Sequence, residues 1–194
     1  MRRKKKIGSP APAGSGKTES GTPPASGPAA PRKRRRKGIG ALEDRIGYRF
    51  RDADLLDCAL THISALTGSS NRMASYQRLE FLGDRVLGLV VSDMLFRNFP
   101  KANEGELSRR LADLVRKETC ADMARKLDLG AAIRLGSSEA GSGGRSRDAI
   151  LADVCESLIG AVFLDGGYTA TSAFVEKLWD DRSEERRVGK ECRL

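Results

Sequence analysis

Residues 76–95 read YQRLEFLGDRVLGLVVSDML, and the apolar side chains in this stretch recur at every turn of a helix. Leu79, Phe81, Leu82, Val86, Leu87, Leu89, Val90, Val91, Met94 and Leu95 leave almost no polar face, a pattern that predicts a helix enclosed by protein. Glu80 and Asp84 are the exception. Four residues apart, they project from one face of a helix that rises about 1.5 Å per residue. Carboxylates held among apolar side chains are costly unless a cation or hydrogen-bond donors compensate, so this helix requires a partner elsewhere in the chain.

A matching stripe lies downstream. In residues 150–165, ILADVCESLIGAVFLD, the only charges before Asp165 are Asp153 and Glu156, three apart and therefore on one face of a second apolar helix. Two helices that each present two acids can meet only around positive charge. Several carboxylate oxygens suit a hard divalent ion, with Mg²⁺ retaining waters and reaching a substrate phosphate. The alternative is that each pair is satisfied locally, with Arg78, Arg85 and Arg147 as candidate partners. The metal reading implies phosphodiester hydrolysis by activated water. Other nucleophilic chemistry has little support. His62 is the only histidine, in LTHIS, where it is either a base or a hydrogen-bonded residue at a helix end, and no Ser or Cys sits in a nucleophile elbow.

The surrounding segments continue the helical texture. ALEDRIGYRF begins at Ala41, and Asp52 or Asp54 caps DLLDCALTHISAL with Leu55, Leu56, Ala59 and Leu60 inward. A polar loop, TGSSNRMAS (67–75), leads into the first acidic helix. After Pro100, a stripe of Leu107, Leu111, Leu114, Val115, Met123 and Leu127 predicts a helical stretch closed by Gly130 as its C-cap. Residues 136–147, GSSEAGSGGRSR, read as a flexible loop. The second acidic helix and then TATSAFVEKLW complete the domain. No segment alternates long enough to make a strand, so the fold class expected is all-α.

Charge is unevenly distributed. Of the overall +9, residues 1–37 hold twelve Lys/Arg against one Glu, and residues 182–194 five against three Glu, which leaves 38–181 at −4. Electrostatic attraction to nucleic acid thus belongs to the tail, where it is sequence-blind. Residues 1–37, with RRKKK and RKRRRK around a Gly/Pro/Ala-rich spacer, cannot bury enough surface to order and are expected to be a disordered basic tail that tethers RNA loosely. GSGKT (14–18) in that tail is not a phosphate loop. The motif requires Gly where Ala11 stands, and prolines occupy the place of a preceding strand, so no nucleotide cofactor is expected. The prolines and glycines likewise defeat an amphipathic transit peptide. Cys58, Cys120, Cys155 and Cys192 show no paired spacing, and no apolar run reaches the roughly 18–20 residues of a membrane span, so a cytoplasmic protein without membrane association is expected.

RLEFLGDRVLGLVVSDML resembles the signature helix of the ribonuclease III family. ALTHISA, NEGELSRRLADLVRKET, RLGSSEAGSGG and ILADVCESLIGAVFLDGGY agree with that family in order and spacing, over about residues 39–180, in wording similar to its alphaproteobacterial branch. The resemblance implies an all-helical, homodimeric endonuclease domain at 38–181 that cuts double-stranded RNA with Mg²⁺ or Mn²⁺ and reads duplex shape more than sequence. By position it implies Glu80, Asp153 and Glu156 as metal ligands, Asp84 and Glu156 as the catalytic acids, and Phe81 as the dimer contact.

There are two departures. Gln77 stands where many members have Glu, a position associated with RNA contact. Bacterial members also continue into a double-stranded-RNA-binding domain, of which nothing is found here. RSEERRVGKECR (182–193) lacks apolar periodicity and resembles a translated sequencing adapter, so residues 182–194 are expected to be an unstructured, artefactual tail. A reading from another class is a catalytically silent RNA-binding or assembly module of the same fold. The intact acid quartet argues against it.

Overall fold

A computed structural model describes residues 39–66 and 74–191. The basic tail, GSGKT and most of the 67–75 loop lie outside the described residues. The architecture is all-α. Helix α1 is Ile39–Ile46, α2 Ala53–Ala59, α3 Gln77–Asn98, α4 Glu104–Leu114, α5 Lys117–Lys126, α6 Leu129–Ala132, α7 Ser137–Gly141 and α8 Asp148–Glu191, with 3-10 turns at Ile63–Ala65 and Gly144–Ser146. Among the described residues, the one extended pairing is a single bridge between Thr61 and Arg134.

Helices α3 and α8 form the centre, and glycine sets how closely they approach. A Cβ on Gly83 would lie 2.6 Å from the carbonyl carbon of Glu156 and 3.0 Å from the amide nitrogen of Gly160, and one on Gly160 would lie 3.2 Å from the amide nitrogen of Gly83. The two helices therefore touch along their backbones. The core closes around the crossing with Leu79, Val86, Leu87, Val90 and Val91 from α3 and Val154, Leu158, Ile159 and Val162 from α8, all buried. Ser157 ties α8 to α2 by donating to the Ala59 carbonyl at 2.7 Å.

The remaining elements are fastened by buried polar groups. Asp52 caps α2 by accepting from the Asp54 amide, as its residue type predicts. The buried carboxylate of Glu43 accepts from the Phe50 amide at 3.0 Å and from Arg49. Asp165, on α8, accepts from the Tyr48 hydroxyl at 2.6 Å and from the amides of Arg51 and Asp52 at 3.0 and 2.9 Å. These contacts fold the turn between α1 and α2 onto the end of the acidic helix. Gly47, at φ 73°, makes the turn that ends α1.

Several expectations are corrected. The first acidic helix is not enclosed all round, because Phe81, Leu89 and Phe96 are 70%, 56% and 71% exposed. Apolar composition alone does not distinguish a side chain left exposed from one facing the core. The stripe after Pro100 is two helices and not one. Trp179 donates to the Leu114 carbonyl at 3.0 Å and Thr119 to that of Asp113 at 3.1 Å, so two of the last carbonyls of α4 are satisfied from outside the helix where it stops. Gly130 is not a C-cap, since it lies inside α6, and the left-handed residue ahead of it is Asp128 (φ 50°).

Residues 136–147 are not a flexible loop but α7 and a 3-10 turn. Arg147 pairs with Glu139 at 2.6 Å, and Arg145 donates to the carbonyls of Gly130 and Ile133 at 2.9 and 2.7 Å. Helix α8 kinks at Gly167 (φ 74°), which matches the expected division before TATSAFVEKLW, and it then continues to Glu191. The helical backbone thus runs over residues 182–191; Glu, Arg and Lys are good helix formers.

Candidate metal-dependent active site

The glycine crossing brings the two acid pairs together. Glu80 and Asp84 flank Gly83 on α3, and Asp153 and Glu156 lie two turns and one turn before Gly160 on α8. Glu80, Asp84 and Glu156 line one cleft of about 380 Å³ with Phe81, Val115, Arg116 and Lys117. Asp153 is not among the lining residues, but it is near enough to repel Glu80 and Glu156, and it accepts a hydrogen bond from the buried Tyr76 hydroxyl at 3.3 Å. Gln77, exposed at the start of α3, is not among the lining residues.

Exposure grades the four acids. Glu156 is 8% exposed, Glu80 and Asp153 are intermediate, and the Asp84 side chain is 42% exposed and paired with Arg85. Arg85 is thus the one local partner from the sequence reading that engages an acid of the quartet. Arg147 serves Glu139 instead, and Arg78 acts on Cys58.

Burial, followed by repulsion from Asp84, Glu80 and Asp153, pushes the Glu156 carboxyl up to about 7, against the opposing pull of Lys117. Glu80 is raised by burial and by Asp153. Asp153 is raised by burial, opposed by Lys117, by the Tyr76 hydrogen bond and by the charge of His62. Among the described residues no group of three or more acid, histidine or cysteine side chains stands in a metal-holding arrangement as the side chains lie. The donor set nevertheless fits a hard divalent cation. It consists of carboxylate oxygens alone, and their mutual repulsion and raised proton affinity are what positive charge in the cleft would relieve.

Sequence reasoning missed Tyr76 and Lys117, and no spacing marks either of them. His62 belongs to the scaffold: its Nδ1 accepts from the Ser64 amide at 3.1 Å and caps the turn Ile63–Ala65.

An all-α domain with paired acids across a glycine-mediated crossing is the class of protein defined so far, and comparison with known proteins narrows it. A Ribonuclease-III-like family profile matches residues 52–181. The chain is 59% identical over 167 residues to a protein named Ribonuclease 3 from Nitrobacter winogradskyi, covering 84% of this chain and 62% of that one.

Two solved structures of the ribonuclease III nuclease domain from Campylobacter jejuni are 38% identical. They have TM-scores of 0.70 and 0.69, cover 76% and 74% of this chain, and are themselves covered to 97% and 96%. One of them is described for structural flexibility in a region involved in dimer formation. The chain belongs to the ribonuclease-III-like family. It spans about 60% of the length of the curated relatives it matches. Among the described residues no helix is long and apolar enough to cross a membrane.

Proposed function

We propose that the protein is an Mg²⁺-dependent endoribonuclease, with Mn²⁺ able to substitute, that hydrolyses phosphodiester bonds of double-stranded RNA to leave 5′-phosphomonoesters. In this reading residues 38–181 are the catalytic unit, acting as a homodimer in the cytoplasm on precursors of ribosomal and messenger RNA. The basic residues of 1–37 add sequence-blind attraction to the substrate. The observation that carries the reading is the convergence of Glu80, Asp84 and Glu156 on one open cleft, with Asp153 close enough to act on Glu156.

Glu80, Asp153 and Glu156 would hold the divalent cation, which when bound supplies Lewis-acid polarisation of the phosphoryl group. Glu156, least exposed and anchored at the helix crossing, fixes the depth at which the phosphate stops. Asp84, at the open side, is placed to orient the attacking water and to accept its proton at a carboxylate oxygen once it swings from Arg85. Water adds to phosphorus as the bond to the 3′ oxygen breaks, and the proton that Asp84 took from the water passes through solvent to that oxygen, which leaves as a hydroxyl. Gln77, exposed one turn before Glu80, is assigned to RNA contact. Phe81, also exposed, is assigned to the dimer interface.

The test is cleavage of a long RNA duplex by the purified chain at low salt with Mg²⁺. The reading requires cutting that chelation stops and that Glu156→Gln abolishes. Cleavage that survives the substitution refutes the site, and binding without cleavage by the unaltered chain identifies a silent RNA-binding module.

A further inference from the structure

An acidic cleft that accepts RNA faces a second electrostatic problem, because the substrate is itself a row of negative charges. The lining sets Glu80, Asp84 and Glu156 against two cations, Arg116 and Lys117. The cations differ. The Arg116 guanidinium stands 3.9 Å from Glu118. Lys117, the first residue of α5, is exposed, and among the described residues no ion pair ties it to a single carboxylate, while its charge acts on Glu80, Asp153 and Glu156 together. A lysine that serves three acids without being bound to one retains its reach. An ammonium on a flexible stem is a natural point-charge ligand for a phosphate. Helix α5 also begins without a side-chain cap, so its positive end adds to the same potential.

We propose that Lys117 is a phosphate-binding residue of this cleft, its Nζ contacting a non-bridging oxygen of the phosphate that is cut. The inference rests on the endoribonuclease reading above and adds a group to it. Lys117 neutralises the carboxylates before substrate arrives and moves to the phosphoryl oxygens as they gain charge, so one side chain serves both states of the site.

The test uses the full chain and four variants: Lys117→Met, which keeps length and loses charge, Lys117→Arg, Glu156→Gln, and the double variant Lys117→Met/Glu156→Gln. Single-turnover cleavage of a short RNA duplex is measured with Mg²⁺, and binding of the same duplex is followed across a salt series, with the double variant compared against Glu156→Gln so that no cleavage intervenes. Lys117→Met is expected to slow the single-turnover rate by about 10- to 100-fold. It should also reduce the log–log salt slope of binding by roughly one, leave the protein folded by circular dichroism, and be rescued largely by Lys117→Arg. A wild-type rate and slope in Lys117→Met, alongside Glu156-dependent cleavage by the unaltered chain, overturns the Lys117 contact and leaves the activity standing. A slower rate with an unchanged slope also overturns it, because the lysine would then act on the acids alone. If the unaltered chain does not cleave, the proposed activity fails, and the slope comparison still decides the contact.

Discussion

Gly83 and Gly160 meet backbone to backbone, and this one relationship fixes the separation of the two acid pairs. An alanine at either position gains helix propensity on a surface helix, but here the added methyl group meets backbone of the opposite helix, which cannot rotate away. Gly83→Ala is expected to destabilise the domain by about 3 kcal/mol and to lower its unfolding temperature by roughly 10 °C. Thermal denaturation followed by circular dichroism measures this. An unchanged melting temperature would show that the helices can separate at little cost.

Glu156 makes the stability of the cation-free protein depend on pH. Its folded carboxyl titrates at about 7, above its ordinary value, so its contribution is fully present below the ordinary glutamate range and is lost as the pH rises through 7. In chelator, the wild-type protein should lose stability between pH 5 and 8 by about 2 kcal/mol. Glu156→Gln should flatten that dependence and melt higher than wild type at pH 8. Unfolding curves at fixed ionic strength decide between the two behaviours.

Asp165 works in the opposite direction. Burial alone would raise its carboxyl, but the hydrogen bonds from Tyr48 and from the Arg51 and Asp52 amides outweigh that effect and hold it below the usual range. Its contribution is present above the ordinary aspartate range and is lost as the pH falls through the lowered value. Asp165→Asn, which cannot accept all these bonds, is expected to cost about 2–3 kcal/mol at pH 7. The cost should shrink in acid, and urea titrations at pH 7 and pH 3 compare the two.

Phe81 is 70% exposed beside the acids, and Leu89 and Phe96 extend the apolar stripe along α3. If this stripe is covered by a second copy, Phe81→Glu should convert a dimer to a monomer in sedimentation velocity and reduce duplex cleavage at least tenfold, since the acids would remain folded but unpaired across the duplex. A Phe81→Glu protein that still sediments as a dimer would place the interface elsewhere.

What the sequence made legible follows from chemistry that is local. The helical class could be read because apolar residues recur at 3.6-residue spacing, and the acids could be read because Glu80, Asp84, Asp153 and Glu156 interrupt otherwise apolar runs. Lys117 could not be read. One lysine among many acquires its role only when α5 is laid beside the α3–α8 crossing. The break between α4 and α5 was hidden for a similar reason: the group that satisfies the Leu114 carbonyl is Trp179, 65 residues away. The order in 136–147 depends on Arg145 and Arg147 reaching back to carbonyls and to Glu139, which a Gly/Ser-rich composition conceals.

Trp179 is also the only tryptophan in the chain, and its indole is fully buried and hydrogen-bonded at the last turn of α4. Val115, Arg116 and Lys117, on the rim of the cleft, follow directly from that turn. The protein therefore carries an intrinsic fluorophore at the base of its rim. Its emission reports both unfolding and the seating of the rim, without a label and without a substitution at the acids.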